Sequence, residues 1–291
     1  LEWALDLEAD RMVNSYVSEA HLASEMTVVR NEFEMGENSP QGILEERLFS
    51  TAYLWHNYGN STIGARSDIE NVPIERLKGF YRKYYQPDNA ILVVAGKFDE
   101  AAVLKRIAQL FGRIPRPNRE GDNHLWPTYT VEPVQDGERS VTLRRVGDEQ
   151  ILMAGYHVPA GSDPDFAPIL VLAQVLGSAP SGRLYQALVE TKRAAAVWSN
   201  TYQLYQPSLL LAGAQLRRED TLAVAQGAFL AALDSASQRP PTEEEVARAK
   251  QTILKNIELS LTQTDAVGVA LSEWASRGDW RLIFINRDRV R

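Results

Sequence analysis

The sequence predicts two domains of mixed helix and strand content. The chain has 291 residues, which suits two domains of ordinary size better than one. Helical periodicity fills its front and strand-like runs open its second half, with a polar stretch holding Pro115, Pro117 and Pro127 between them. There is also an internal echo. Ile91-Leu92-Val93-Val94-Ala95-Gly96, a polar turn and a helical run to Phe111 resemble Leu209-Leu210-Leu211-Ala212-Gly213, a polar turn and a helical run to Leu233. Strand–turn–helix units are common, so on this observation alone coincidence and duplication weigh equally.

Leu5, Met12, Val13, Tyr16 and Val17 recur at three- and four-residue steps, the mark of an amphipathic helix. A second helix follows, with Ser24 as its cap and Glu25 in an acid-friendly first turn. Glu37-Asn38-Ser39-Pro40 reads as a break. A helix over Gly42–Tyr58 carries Leu44, Leu48, Ala52 and Trp55 and stops at Gly59. Val72–Tyr85 is helical with Pro73 in its first turn. Ala90–Ala95 is a strand whose unbroken apolar run predicts burial on both faces, and Asp99 caps the helix after it. Strands over Arg139–Arg145 and Gln150–His157 pair through Gly147-Asp148. Helices follow over Phe166–Leu176 and Ser181–Lys192. Val197–Tyr205 and Ser208–Gln215 form a hairpin across Gln206-Pro207, and Asp220 caps the helix to Leu233. Thr242-Glu243-Glu244-Glu245 is a capping-box opening for a long helix to about Gln263. The boundaries are then residues 1–117 for the first domain, 118–138 for a linker and 139–291 for the second domain.

Hydrophobic residues at 44% and charged residues at 24% exclude a disordered, collagen-like or coiled-coil chain. A net charge of −7 and a pI near 5.3 argue against nucleic acid or a membrane surface as partner. With no cysteine, thiol nucleophiles, iron–sulfur clusters and Cys-ligated zinc are excluded, so any metal must use His, Asp or Glu. No apolar run approaches the roughly 20 residues of a membrane helix. The chain opens at Leu1 with no signal-peptide pattern, which reads as an excerpt.

Glu25 and Glu32 are seven apart, two turns on one helical face, bracketing Val28 and Val29. One carboxylate can ligate a metal while the other orients a neighbouring ligand. By spacing alone a solvated acidic face is the commoner explanation. His56 reads as a packing and turn residue, and His157 as a core or rim histidine. Neither a P-loop nor a G-x-G-x-x-G is present, so nucleotide binding is unsupported.

Several blocks together resemble the pitrilysin/insulinase-like zinc metallopeptidases, especially bacterial members. They are Leu5-Asp6-Leu7-Glu8-Ala9-Asp10-Arg11-Met12, the segment from Glu25 to Glu37, Tyr58-Gly59 with Thr62-Ile63-Gly64, and Val94-Ala95-Gly96. The most specific is Phe80-Tyr81-Arg82-Lys83-Tyr84-Tyr85-Gln86-Pro87-Asp88-Asn89. Residues 139–291 look like the non-catalytic repeat, with Gly182-Arg183-Leu184-Tyr185 as the clearest match. The resemblance implies an α+β fold like that of mitochondrial processing peptidase. It has two repeated domains, each an antiparallel-type sheet covered by helices. The first would be N-terminally truncated and the second would stop early after Asn286-Arg287.

The resemblance further implies a Zn2+-dependent endopeptidase acting on peptides or small unfolded proteins. In that family two histidines and the general base sit on an H-x-x-E-H helix, and the third protein ligand is a later glutamate. The matching position is Glu32, and Glu25 matches the supporting acid that orients a zinc-bound histidine. His21, His56, His124 and His157 lie no closer than 33 residues apart, so the chain has no H-x-x-E-H. The expectation is a fragment that is inactive and does not bind zinc alone, completed by the other half of the enzyme or a partner chain. Where some members use an Arg and a Tyr on substrate, this chain has Val189 and Ala196, so that role is absent. The alternative is a non-catalytic structural or partner subunit of the same fold. Long bacterial members are commonly exported, which gives a periplasmic expectation.

Overall fold

The computed structural model describes residues 1–217 and 221–291. It contains two compact units: unit 1 is Leu1–Asn38 with Ser61–Val131, and unit 2 is Ser39–Asn60 with Glu132–Arg291. The stretch expected as a linker therefore divides between them after Val131.

Unit 1 opens with helices α1 (Glu2–Asn14) and α2 (Glu19–Glu37). Leu5 and Ala9, one turn apart on α1, pack on Val103 and Leu110 of α6 (Glu100–Phe111), with Val94, Phe98, Ile107 and Phe111 around them. Asp99 caps α6 as expected, accepting the Ala102 N–H at 2.9 Å. The cap of α2 is Ser18 rather than Ser24. Its backbone is extended and its Oγ accepts the His21 N–H at 3.3 Å, whereas Ser24 lies inside the helix. The helix also runs on to Glu37, where the Asn38 N–H still reaches the Glu34 carbonyl; it takes Pro40, beginning α3 (Pro40–Ala52) of unit 2, to start a new axis. A short α4 (Arg66–Asn71) precedes α5 (Ile74–Tyr84), which has Pro73 at its N-cap. The Tyr81 hydroxyl on α5 donates to the Arg11 carbonyl at 2.7 Å and accepts the Ser15 N–H at 3.1 Å, closing the end of α1.

Arg119 fixes the chain after α6 onto the turn at Gln86–Asn89. Its Nε and Nη2 donate to the two Asp88 oxygens at 2.8 and 2.6 Å, and its Nη1 donates to the Lys83 carbonyl at 2.6 Å. The guanidinium holds the Asp88 carboxyl below the usual carboxylate range. Residues 90–95 correct the expectation of a strand buried on both faces. The backbone at Ala90 is extended, but residues 90–96 make no backbone hydrogen bond among the described residues, and Ile91 and Leu92 are 68% and 42% exposed. No neighbouring strand in the described residues covers them.

Unit 2 is built on an antiparallel sheet in the order β1 (Ile151–Val158), β3 (Ser208–Leu216), β2 (Ala194–Thr201). The hairpin across Gln206-Pro207 forms as the sequence predicts. The central strand β3 is buried along almost its whole length. Ala212, Ala214 and Leu216 face Leu176 of α7 (Phe166–Gly177), Leu184, Leu188, and Ala225, Phe229 and Leu233 of α8 (Leu222–Gln238). Leu209 and Leu211, of opposite parity, face Leu48, Phe49 and Tyr53 at the end of α3. The helix predicted over Gly42–Tyr58 ends at Ala52, and Asn57–Gly59 is a separate 3-10 turn. Arg139–Arg145 is not a strand: β1 pairs with β3, and Arg139 instead donates to the Thr51 and Ala52 carbonyls at 3.1 and 3.0 Å. The expected cap Asp220 lies outside the described residues.

At Gly213 the sheet needs the absence of a side chain, since a Cβ there would stand 2.2 Å from Cζ2 of Trp198, its cross-strand neighbour on β2. Gly213→Ala is expected to cost about 2 kcal/mol by forcing the indole off its seat. Urea unfolding followed by tryptophan fluorescence measures it, and a midpoint equal to the parent's would refute the packing argument.

The rest of unit 2 is helical. Helix α9 (Glu243–Ser260) opens with the expected capping box: Thr242 Oγ1 accepts the Glu245 N–H at 3.2 Å, and Glu245 accepts the Thr242 N–H at 2.8 Å. Helices α10 (Thr264–Ser276) and α11 (Leu282–Val290) follow. From α11 the buried Asn286 side chain donates to the Gly161 carbonyl at 2.8 Å.

Candidate functional site

The predicted pair Glu25 and Glu32 sits on α2, both exposed, on the same face two turns apart. Neither makes a hydrogen bond or ion pair with the described residues. The helix buries none of its own side chains, and Val28 and Met35 are 50% and 67% exposed. Leu22, Met26, Val29 and Phe33 are half-buried along one face of α2, and Arg66 at the start of α4 donates to Glu70 at 2.9 Å and stands 3.7 Å from Glu34. That contact is made two residues beyond Glu32 and does not involve it.

The histidines scatter. His21 contacts Ser18 Oγ through Nδ1 and lies edge-on to Tyr16, at the N-terminus of α2. His124 stacks edge-on with the exposed Trp126. His56 is buried in unit 2; its Nδ1 accepts the Tyr58 N–H at 3.1 Å and its Nε2 meets Gln206 Oε1, matching the packing and turn role expected for it. His157 is on the rim, with Nε2 at 3.2 Å from the Ala52 carbonyl. Among the described residues no three His, Asp or Glu side chains gather as a metal would need. Two carboxylates on one helix offer fewer donors than the three protein ligands of a catalytic zinc, so the described residues do not by themselves fit a complete site.

Sequence reasoning missed a carboxylate of unit 2. Glu132 accepts three consecutive N–H groups beyond α3, from Leu54 at 2.7 Å, Trp55 at 2.9 Å and His56 at 3.0 Å. Desolvation opposes its charge, and the three donors with Arg139 nearby outweigh it, holding the carboxyl below the usual range. Tyr53, whose hydroxyl donates to the Pro207 carbonyl at 3.1 Å, is pushed up to about 12 by burial. This corner is a structural clamp. Its only sequence signal was one acid in a polar, proline-bearing stretch, which does not single out Glu132.

A helix-covered antiparallel sheet in unit 2 and a helical unit 1 make the chain α+β. Residues 71–253 match the family described as Peptidase M16 inactive domain. The chain belongs to the M16 peptidase family, the pitrilysin/insulinase-like group that its sequence resembles. Among its relatives it is 34% identical over 215 residues to zinc protease PqqE of Helicobacter pylori, covering 72% of this chain and 48% of that protein. It is 24% identical over 209 residues to the uncharacterized zinc protease YmxG of Bacillus subtilis, covering 72% of this chain and 49% of that protein. A crystal structure of a protease from Helicobacter pylori matches with a TM-score of 0.91 at 27% identity, covering 99% of this chain and 70% of that one. The chain thus spans about half the length of the curated relatives it matches.

Proposed function

We propose that this chain is part of a zinc-dependent metalloendopeptidase that hydrolyses peptides or small unfolded proteins. In this reading Glu32 is the third protein ligand, Glu25 orients a neighbouring ligand, and the two histidines with the general base come from an H-x-x-E-H helix of the same domain that lies outside this chain. The observation that carries it is the state of α2: two carboxylates on one face, exposed and unpaired, on a helix that buries no side chain. Charged groups spaced this way with no partner suit a site that further polypeptide completes. The names of the relatives, zinc proteases, support the same reaction.

One observation favours the second reading, a non-catalytic partner subunit: the family matched over residues 71–253 is that of the inactive domain. Glu25 and Glu32 lie outside those residues, which favours the peptidase. The test is metal analysis and cleavage of a quenched fluorogenic peptide by the full-length parent and by this 291-residue chain. The parent is expected to hold one zinc and to cleave; this chain alone is expected to do neither. In the parent Glu25→Gln should weaken zinc by about 10- to 100-fold, and Glu32→Gln should remove zinc and cleavage together. A parent without zinc, or one that keeps both after Glu32→Gln, overturns the reading.

A further inference from the structure

The turn after α3 is closed by a histidine ring that can close it in only one protonation state. His56 is 8% exposed and bonds through both ring nitrogens. Nδ1 accepts the Tyr58 N–H at 3.1 Å, so it carries no proton. The proton of the neutral ring is then on Nε2, which donates it to Gln206 Oε1. A main-chain N–H cannot act as an acceptor, so this donor fixes the tautomer. The Gly59 N–H closes the same turn on the His56 carbonyl at 3.1 Å, and the Gln206 N–H donates to the Tyr58 hydroxyl at 3.2 Å. One ring thereby ties residues 56–59 to the tip of the β2–β3 hairpin. A second proton would enter at Nδ1 and set N–H against N–H, leaving the Tyr58 amide without its acceptor and a cation in a buried place.

We propose that His56 is a proton-operated latch: the neutral ring closes the turn at residues 56–59 against the β2–β3 hairpin, and protonation on the acid side of neutrality opens it. Histidine is the side chain whose charge changes between about pH 5 and 8. The open turn binds one proton more than the closed one, so the closed form weakens as pH falls. Among the described residues, two charged groups bear on the ring: Glu132, which accepts the His56 N–H at 3.0 Å, draws a positive ring, and Arg139, on the Thr51 and Ala52 carbonyls, repels it. The phenol rings of Tyr53 and Tyr58 stand 5.8 and 4.3 Å from the imidazole, and Glu45 is engaged by Tyr202 on the far side of Phe49. His157 is no rival latch, because its Nε2, 3.2 Å from the Ala52 carbonyl, donates whether that ring is neutral or charged. Opening releases the chain as far as Asn60, while Glu132 keeps its bonds to the amides of residues 54–56. Every group involved belongs to unit 2, so the latch stands whether or not the peptidase reading does.

Amide hydrogen exchange, corrected for the intrinsic rate at each pH, tests it on this chain and on the full-length parent alike. Between about pH 7.5 and about pH 5.5 the protection of the Tyr58 amide should fall about tenfold or more, while the β3 amides of residues 209–214 keep theirs. His56→Asn places an amide oxygen within reach of the N–H two residues on, with no proton to gain. That variant should retain the protection at about pH 7.5 and lose its pH dependence, whereas His157→Gln should leave the fall as it is. Constant protection of Tyr58 overturns the proposal, as does a fall that persists in His56→Asn or one that residues 209–214 share, which is global unfolding. If His56→Asn does not fold, the nitrogen chemical shifts of the imidazole in the unsubstituted chain decide. Nδ1 should gain its proton over the pH range in which Tyr58 loses protection, and a ring that stays neutral through that loss overturns the latch.

Discussion

Phe229→Ala is expected to cost about 4 kcal/mol, the largest single loss in unit 2. The ring is 2% exposed in the layer between α8 and the sheet, in one cluster with Leu184, Leu188, Ala212 and Leu233. Truncation removes its transfer free energy and leaves a void bounded by sheet and helices, which cannot close around it without breaking strand pairs. Exchange of the β3 amides reports on unit 2 specifically. They should lose protection corresponding to that cost, and a change below about 1 kcal/mol would mean that the site repacks and that the sheet face is softer than its burial implies.

Arg183→Met is expected to cost about 3 kcal/mol at pH 7 and to flatten the acid limb of stability. Arg183 meets Glu245 with two parallel bonds of 2.8 Å and donates to the Arg239 carbonyl at 2.7 Å. Both side chains are at most 20% exposed, so solvent screens the pair only weakly. Arg183 first, and then the Thr242 cap bonds against desolvation, hold the Glu245 carboxyl at about 2, below its ordinary 4.5. A carboxyl depressed in the folded state stabilises fully above its unfolded value. That contribution therefore fades as pH falls from about 4.5 through about 2. Urea midpoints at pH 7 and pH 3 should converge between parent and variant; equal midpoints at pH 7 would show that the pair adds nothing.

What the sequence made legible follows from local chemistry. The capping box at Thr242, the Asp99 cap and the hairpin at Gln206-Pro207 each depend on residues within a few positions of one another, whereas of the apolar residues read along the first helix only Leu5 is buried, Val13 is exposed, and Tyr16 and Val17 lie past its end. The Glu25–Glu32 spacing could likewise be read directly, because a helix converts seven residues into two turns. The failures depend on partners distant in sequence. Ala90–Ala95 has the composition of a buried strand, but composition does not supply the neighbours that bury it. Arg139–Arg145 looked like a strand beside β1, yet β1 pairs with β3, more than fifty residues later. Glu132 went unread because its partners lie 76 to 78 residues earlier and are main-chain N–H groups, which have no sequence signature.

The same Glu132 gives the chain a neck. Its carboxylate lies within hydrogen-bond reach of the backbone at residues 54–56, so the chain leaves unit 2 and re-enters it at nearly one point. Residues 61–131 return to unit 2 close to where they left it, and with Leu1–Asn38, which joins ahead of Ser39, they make up unit 1. Closing a loop depends only logarithmically on its length, so unit 2 is nearly indifferent to what residues 61–131 hold. Separating the two units therefore takes two changes, a short bridge across that neck and a cut between Asn38 and Ser39.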